Sequence, residues 1–272
     1  MTEPDEKPSR PWHVFATYLA AVLGIFATTG VAIEILRSAY PDVPETALVR
    51  TLPGLLAGSL AASAGLLLTL LLIVRRLDPA RLRLLPGRET GPSLAVMALG
   101  LLALGQALDS VTALLGLGEG GSLELIRRVL EQTRGPDLFA AVLVLGVGAG
   151  AAEEVFFRGY MQAHLREHWS APAAVLASSA AFAVLHVDVS PVHMVLALAL
   201  GVYLGFVAEV SGSTLPAIVC HVVNNIVYTL QTALGFGVLS RDVNAVAAVA
   251  GAAVFVACVL WLRRMTPGPT PA

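Results

Sequence analysis

Residues 52–74 read LPGLLAGSLAASAGLLLTLLLIV, a run in which no side chain is charged. An α-helix needs about 20 apolar residues to cross the hydrocarbon core of a bilayer, so this run is long enough to span a membrane. The strands of a membrane β-barrel alternate apolar and polar residues, and this run does not alternate. The stretch therefore predicts a transmembrane helix.

Apolar runs of similar length lie on both sides of this stretch. Together they predict an all-α fold, a polytopic transmembrane helix bundle of about eight helices. Trp12, Tyr40 and Trp261 lie at the ends of such runs, where aromatic side chains mark the boundary between lipid and water. The predicted spans are residues 13–36, 52–74, 93–117, 137–157, 172–189, 191–209, 214–233 and 243–262.

The composition agrees with a membrane protein. Of the 272 residues, 56% are hydrophobic and 13% are charged, whereas soluble domains have roughly 45–50% and about 25%. So few charges exclude an ordinary cytosolic enzyme and a disordered protein, and the net charge of −2 gives no basic field for nucleic acid. Cys220 and Cys258 lie inside apolar runs, so we expect reduced packing residues rather than a disulfide framework.

The basic residues are shared unevenly between the two sides of the predicted bundle. If the N-terminus is cytosolic, the inner segments hold eleven Lys and Arg residues and the outer segments hold six. Cytoplasmic loops carry an excess of Lys and Arg, so this count predicts that both termini are cytosolic. We expect a multi-pass protein of the cell membrane, with a cytosolic tail at residues 1–12 and its strongest anchor in the basic loop 75–88, RRLDPARLRLLPGR.

Residues 122–132, SLELIRRVLEQ, differ from the predicted spans. Apolar side chains recur at helical spacing, and charged side chains occupy the opposite face. A helix of this kind lies in the membrane interface rather than across the bilayer. We therefore expect an interfacial helix whose simplest role is to connect two spans. Its apolar stripe comprises Leu123, Ile126, Val129 and Leu130.

Polar side chains inside apolar runs are costly, and three groups of them stand out in the second half of the chain. The first is Glu153-Glu154, with Arg158 four residues after Glu154. That spacing allows Glu154 and Arg158 to pair on one helix face. Glu153 points about 100° away, and a carboxylate in a low-dielectric pocket takes up protons readily, which suits a general base. A charge cluster at the headgroup boundary is the alternative interpretation.

The other two groups are pairs of residues four apart, Phe182 with His186 and His221 with Asn225. Side chains at this spacing share a helix face. An imidazole can act as acid, base or metal ligand, and an amide can donate to a developing oxyanion. Each pair alone also fits an ordinary core residue or an interhelical hydrogen bond.

A carboxylate, two histidines and an amide on different helices form a set that can hydrolyse a peptide. In one arrangement, Glu153 and His186 activate water while His221 and Asn225 hold the oxyanion. In the other, Glu153, His186 and His221 bind zinc, as in a metalloprotease. Asparagine is a poor zinc ligand, which favours the metal-free arrangement. Two glycine pairs at the spacing that lets helices approach closely are Gly146 with Gly150 and Gly201 with Gly205.

The three groups resemble the motifs of a known family. Glu-Glu-x-x-x-Arg, Phe-x-x-x-His and His-x-x-x-Asn, each on its own predicted helix, are similar to those of the CAAX protease and bacteriocin-processing family, the CPBP or Abi intramembrane proteases. That family includes the type II CAAX prenyl endopeptidases. The resemblance runs from about Ala140 to Tyr228 and includes GSTLPA at residues 212–217.

The resemblance implies an intramembrane endopeptidase acting on membrane-associated peptides or proteins, either prenylated or bacteriocin-like. Its partners would be the lipid bilayer and that substrate, with no nucleic acid. It implies a catalytic core at residues 137–233, preceded by transmembrane helices over 13–136 and followed by a last helix and cytosolic tail over 234–272. The resemblance also implies residue roles: Glu153, His186, His221 and Asn225 are catalytic, and Glu154, Arg158 and Phe182 support them. Zinc as cofactor and a metal-free glutamate are both compatible with the motifs.

Two other functions fit the composition. In a proton-coupled transporter the polar intramembrane residues would form a proton relay. Transporters usually contain two related halves, and here the polar residues crowd into one half without a visible repeat. A non-catalytic membrane scaffold of the same fold is the third hypothesis, and the intact set of catalytic residue types argues against it.

The predicted spans leave two catalytic candidates at different depths. With a rise of 1.5 Å per residue, Glu153 would lie about 6 Å from the inner boundary and His186 about 20 Å from it. Two adjustments bring them together. Either the helix of Glu153 continues to about His164, or the polar turn Val187–Pro191 dips into the membrane.

Overall fold

The computed structural model describes residues 10–74, 78–117, 120–188, 190–236 and 239–265, which form helices and their connections without a strand. The predicted all-α fold is confirmed. In chain order the helices are α1 (Pro11–Ala39), α2 (Glu45–Leu48), α3 (Leu52–Val74), α4 (Gly91–Leu114), α5 (Gly121–Glu131), α6 (Gly135–Leu165), α7 (Ala171–Val184), α8 (Pro191–Ser211), α9 (Leu215–Ala233) and α10 (Arg241–Leu262).

Six of the described helices, α1, α3, α4, α6, α8 and α10, are long and apolar enough to cross a membrane. The predicted number of about eight spans is not confirmed. α7 has 14 residues, which makes it about 21 Å long, shorter than the roughly 30 Å hydrocarbon core. α9 has 19 residues, and His221, Asn224 and Asn225 interrupt its apolar sequence.

The helix that carries the paired glutamates is longer than the sequence pattern predicts. α6 continues past the predicted end at residue 157 as far as Leu165. The first of the two proposed adjustments is therefore correct, because the extension moves Glu153 away from the end of the helix and close to its middle. The sequence pattern does not show the extension, because the residues after 157 include polar side chains. In the bundle, Arg158 and Gln162 bond to carbonyls of α8, so the helix can continue.

Two π-helical segments interrupt α6, one at Val142–Ala149 and one at Val155–Gln162. Between them lies a short α-helical segment, Gly150–Glu154, which carries both glutamates. π-helical turns are rare and occur frequently at functional sites, because the wider turn changes which side chains share a face. Glu153 and Glu154 therefore lie in a short regular segment between two irregular ones.

Aromatic side chains pack α7 against α6 in the turn that follows the glutamates. Phe156 and Phe157 are completely buried, and their ring centroids lie 5.1 Å apart. The Phe157 ring contacts that of Phe182 on α7, at a centroid distance of 5.2 Å and near-perpendicular planes. Edge-to-face packing of this kind is favourable and directional, so it fixes the position of Phe182 and of the turn that follows α7.

The loop before α4 is tied to the end of α8. The backbone N–H of Arg88 donates to the Ser211 carbonyl at 2.7 Å, and the N–H of Thr214 donates to the Arg83 carbonyl at 2.7 Å. Glu209 near the end of α8 accepts from Arg83 of the loop and from Arg166 just after α6, at 3.1 and 3.0 Å. These bonds bring the 78–90 loop, the end of α8 and the end of α6 to the same side of the bundle.

Several predictions concern residues outside the described ranges. Lys7, Arg75 and Arg76, three of the basic residues assigned to the inner side, lie there, as do most of the N-terminal tail and residues 266–272. The cytosolic location of both termini stays a prediction. The predicted helix over 122–132 is observed as α5, and its two arginines pair with acidic residues one turn away, Arg127 with Glu131 and Arg128 with Glu124. Its location in the membrane interface stays a prediction.

Candidate active site

Glu154 and Arg158 form a completely buried ion pair inside the bundle. Arg158 donates through Nη1 to Glu154 Oε1 at 2.6 Å and through Nη2 to the Gly201 carbonyl on α8 at 2.8 Å. A side chain at position 201 would crowd this contact, because a Cβ atom there would lie 3.2 Å from Arg158 Nη2. Because Gly201 has no side chain, α8 lies close enough to α6 for the Gly201 carbonyl to accept from the buried guanidinium.

His221 of α9 lies against both glutamates. Its Nδ1 is 2.7 Å from Glu154 Oε1, and its Nε2 is 3.6 Å from Glu153 Oε2. The first distance is a hydrogen bond and the second is too long for a strong one. Glu153 keeps 21% of its side chain exposed, whereas Glu154 is completely buried. The two adjacent carboxylates therefore occupy different environments, since Glu154 is completely buried and bonded through Oε1 alone, whereas Glu153 is accessible.

The Phe182 ring is the contact point between the three predicted motifs. Its centroid lies 4.6 Å from that of His186 and 6.0 Å from that of His221. The Arg158 guanidinium carbon lies 5.0 Å from the same centroid, within the range of a cation–π contact. Phe182 thus contacts both histidines and the arginine of the buried ion pair, and its supporting role stays a prediction.

His186 lies in the turn just after α7. Its Nδ1 is 3.0 Å from the Phe182 carbonyl oxygen, an acceptor, so Nδ1 must carry the hydrogen. In the neutral ring, Nε2 then has a free lone pair. The structure therefore presents His186 as a hydrogen-bond acceptor at Nε2.

Asn225 lies one helical turn beyond His221 on α9. Its Nδ2 donates to the Leu145 carbonyl at 3.2 Å, and its Oδ1 accepts from Asn224 at 3.4 Å. Leu145 belongs to the first π-helical segment of α6. Gly150 brings the same two helices close, since a Cβ there would lie 3.5 Å from the His221 ring. The glycine spacing noted in the sequence therefore serves the approach of α6 to α9.

The candidate zinc ligands Glu153, His186 and His221 do not form a ligand set. Within the described residues, no group of three or more His, Cys, Asp and Glu side chains is arranged to hold a metal ion. A catalytic zinc site requires three protein ligands around one position. Each histidine uses Nδ1 for another partner, Glu154 in one case and the Phe182 carbonyl in the other. These bonds leave both Nε2 atoms free, just as metal-binding histidines bond through their other ring nitrogen to a carboxylate or a carbonyl. The choice between zinc and a metal-free glutamate therefore stays a prediction.

The structure adds contacts that sequence reasoning missed. His221 bonds to Glu154, whereas the sequence spacing suggested Arg158 as the only partner of Glu154. His193 packs against His186, and Ser122 of α5 bonds to His193. The contacts of His221 with Glu154 and of Ser122 with His193 join residues 67 and 71 positions apart, so no local spacing could have shown them. Only the polar turn Val187–Pro191 drew attention to this part of the chain.

Residues 135–227 match the family model described as Type II CAAX prenyl endopeptidase Rce1-like. The matched range contains all three motifs, and it confirms the resemblance to the CAAX protease/CPBP family. Helices α1 to α5 lie outside it. The match does not support the metalloprotease or the Abi assignment. No curated protein and no solved structure matches the chain significantly. Together with the long apolar helices, the match indicates a multi-pass membrane protein and implies a protease.

Proposed function

We propose that this chain is an intramembrane endopeptidase in which Glu153 activates the water that attacks a peptide bond. The observation that carries the proposal is the position of the His221 ring, bonded to buried Glu154 and facing accessible Glu153 at 3.6 Å. A base with solvent access beside an oriented imidazole is the arrangement that peptide hydrolysis needs. The family match supports an endopeptidase at the family level.

Glu153 and His186 would activate the water. The Glu153 carboxylate accepts one proton of the water while the oxygen forms a bond to the carbonyl carbon of the substrate. His186 Nε2, whose lone pair is free because Nδ1 is bonded to the Phe182 carbonyl, accepts a hydrogen bond from the second O–H, which stays on the oxygen, and so orients the attacking oxygen. Both groups act on one water from two directions, so the reacting oxygen is held in place.

His221 and Asn225 would stabilise the oxyanion. Glu153 and Glu154 bring two negative charges and Arg158 brings one positive charge, so a proton on His221 balances the buried cluster. The protonated ring donates from Nδ1 to Glu154 and presents its Nε2 hydrogen to the oxyanion. Asn225 Nδ2 carries two hydrogens, of which one bonds to Leu145 and the other is available to the same oxygen.

The cycle closes with the proton taken up by Glu153. When the tetrahedral intermediate collapses, the carbon–nitrogen bond breaks and Glu153 gives its proton to the leaving amine nitrogen. The new carboxyl group and the amine then leave, and the site returns to its starting state. No step requires a metal ion or another cofactor. The substrate is a membrane-associated peptide or protein, and the family description favours a prenylated peptide over a bacteriocin-like one.

The test uses the purified protein in liposomes with a fluorogenic peptide, offered with and without a prenyl group. The wild type should cleave it, and Glu153→Gln should slow cleavage by about 10²–10⁴, the range attributed to a general base. Glu34→Gln is the matched control, because Glu34 on α1 is an exposed carboxylate far from the site. Full activity in Glu153→Gln, or proton flux through the liposomes without any cleavage, would contradict the proposal.

A further inference from the structure

His186 is held less firmly by its own helix than the other candidate catalytic residues are by theirs. α7 ends at Val184, and His186 lies two residues beyond it, in the connection to α8. Its contacts within the same segment are a backbone bond to Ala183 and the Nδ1 bond to the Phe182 carbonyl. A catalytic side chain in a turn needs further support, because sites carried on loops are less precise than sites carried on helices.

That support comes from the next turn of chain. The His193 ring on the first turn of α8 packs edge-on against the His186 ring, with centroids 4.8 Å apart and planes at 73°. Phe182 contacts the His186 ring as well, at 4.6 Å. The imidazole of His186 is therefore bounded by two aromatic rings, one before it and one after it in the sequence.

His193 is in turn anchored to a distant element. Its Nδ1 lies 2.8 Å from the Ser122 hydroxyl at the start of α5. The backbone N–H of Ser122 donates to the Asp188 carboxylate, two residues after His186. One residue of α5 thus holds both sides of the turn that carries His186. This clamp consists of Ser122, Asp188 and His193.

The clamp also borders a cleft of about 830 Å³, whose wall includes Ser122 and Asp188. Arg50 and Thr51 before α3, one face of α5 and Asp137 at the start of α6 complete the wall. The clamp therefore lies between this cleft and the His186 ring. Ser122, the clamp residue on α5, lies outside the stretch that holds the three motifs. The hydrolytic steps described above do not use the clamp.

We propose that His193 and Ser122 are positioning residues that hold the His186 ring in its water-orienting position. The inference rests on the proposed peptidase function and extends it to α5, a helix outside the matched family range. Without the Ser122 bond, His193 can turn away, and His186 then loses the ring that limits its rotation. A displacement of about 1 Å at a reacting group can reduce the rate by about 10²-fold, so loss of the clamp should act on kcat.

The first experiment compares Ser122→Ala, His193→Phe and His193→Ala in the liposome cleavage assay. His193→Phe keeps a ring against His186 but loses the bond to Ser122, so its kcat should fall between wild type and His193→Ala. We expect a reduction in kcat of about tenfold for Ser122→Ala and up to about 10²-fold for His193→Ala, with KM unchanged. Ser240→Ala is the matched control, because it removes a hydroxyl that accepts from the Val243 N–H at the start of α10 rather than one bonded to His193.

The second experiment separates positioning from a structural role by a double-mutant cycle with His186→Gln, measured with enzyme in excess over peptide so that slow turnover remains visible. If His193 acts through His186, then His193→Ala should cost nothing further in the His186→Gln background. The inference would be overturned if the kcat losses of His193→Ala and His186→Gln were additive in the double variant. It would also be overturned if the unfolding temperature of the clamp variants fell together with kcat. A wild type that fails to cleave any peptide would instead refute the peptidase function itself.

Discussion

His221 Nδ1 lies 2.7 Å from Glu154 Oε1, the same oxygen that accepts from Arg158 Nη1 at 2.6 Å. One carboxylate oxygen thus accepts from side chains of two helices. Glu154 is buried in this contact, whereas Glu153 faces the other nitrogen of the same ring and stays accessible. From this relationship we infer that the two adjacent glutamates have different roles, which the following variants test.

Arg158→Ala should destabilise the protein strongly. Both partners of the Glu154–Arg158 pair are completely buried, and removing one partner leaves an uncompensated charge, at a cost of roughly 3–5 kcal/mol. Thermal unfolding in detergent measures the effect. Arg37→Ala is the control, since Arg37 pairs with Glu34 on the exposed surface of α1 and such pairs contribute about 0–1 kcal/mol. Equal stability of the two variants would show that the buried pair is unimportant.

The two glutamates should differ when each is changed to glutamine. Glu154→Gln keeps the shape but removes the charge that Arg158 and His221 both contact, so stability and activity should fall together. Glu153→Gln should reduce activity while the unfolding temperature stays near that of the wild type. Cleavage rate and thermal unfolding are measured on the same preparations. The opposite pattern, with Glu153→Gln unfolding first, would exchange the two roles.

Gly150→Val should reduce activity through α9. A Cβ atom at position 150 would lie 3.3 Å from the Val222 nitrogen and 3.5 Å from the His221 ring, so a branched side chain must push α9 and His221 away. Gly58→Val is the matched control, because a Cβ at that α3 glycine meets nothing within 4 Å. We expect kcat to fall by at least about tenfold for Gly150→Val alone. Equal activity of both variants would show that the approach of α6 to α9 does not set the site.

Metal removal should leave cleavage unchanged. Within the described residues, Glu153, His186 and His221 do not form a three-ligand group, and the proposed steps use protein groups alone. The measurement is the initial rate before and after dialysis against a zinc chelator, with a known zinc peptidase as the positive control for metal removal. Activity that is lost with the chelator and returns only with zinc would contradict the metal-free mechanism.

The helices of this protein could be predicted well because lipid imposes a simple rule on them. Each of the eight predicted spans corresponds to an observed helix, and the span at residues 52–74 coincides with α3, because an apolar run of that length has few alternatives. α6 departed furthest from its prediction. Arg158 and Gln162 continue the helix in polar sequence, since two buried backbone carbonyls and the Glu209 carboxylate on α8 bond to them.

The candidate site could be predicted as a set of residues but not as a geometry. Spacing of four residues correctly paired Glu154 with Arg158, because the pair lies within one helix. The contacts of His221 with Glu154 and of Ser122 with His193 join residues 67 and 71 positions apart. Such contacts depend on how helices pack, and the glycine spacing in the sequence marks a close approach without showing which side chains meet there.

The last prediction concerns the side of the membrane on which the turn after α7 lies. α8 is long enough to cross the bilayer, and its end at Ser211 is hydrogen-bonded to Arg88 of the loop before α4. The start of α8 must then lie on the side opposite to that loop. The turn before it, which contains Val187, must lie there too, so α7 crosses most of the membrane although it has only 14 residues.

Cysteine labelling of intact cells with a membrane-impermeant maleimide tests this topology. Val187→Cys is suited to it, because the side chain is 64% exposed and the native cysteines are buried. Asp42→Cys, in the connection after α1, is the control for the predicted outer side, and Leu85→Cys, in the loop before α4, is the control for the inner side. Val187→Cys should label as Asp42→Cys does, because the bonds between the 78–90 loop and the end of α8 place Val187 across the bilayer from Leu85. If Val187→Cys instead stays unlabelled together with Leu85→Cys, α7 does not cross, and the predicted eight-span topology is wrong.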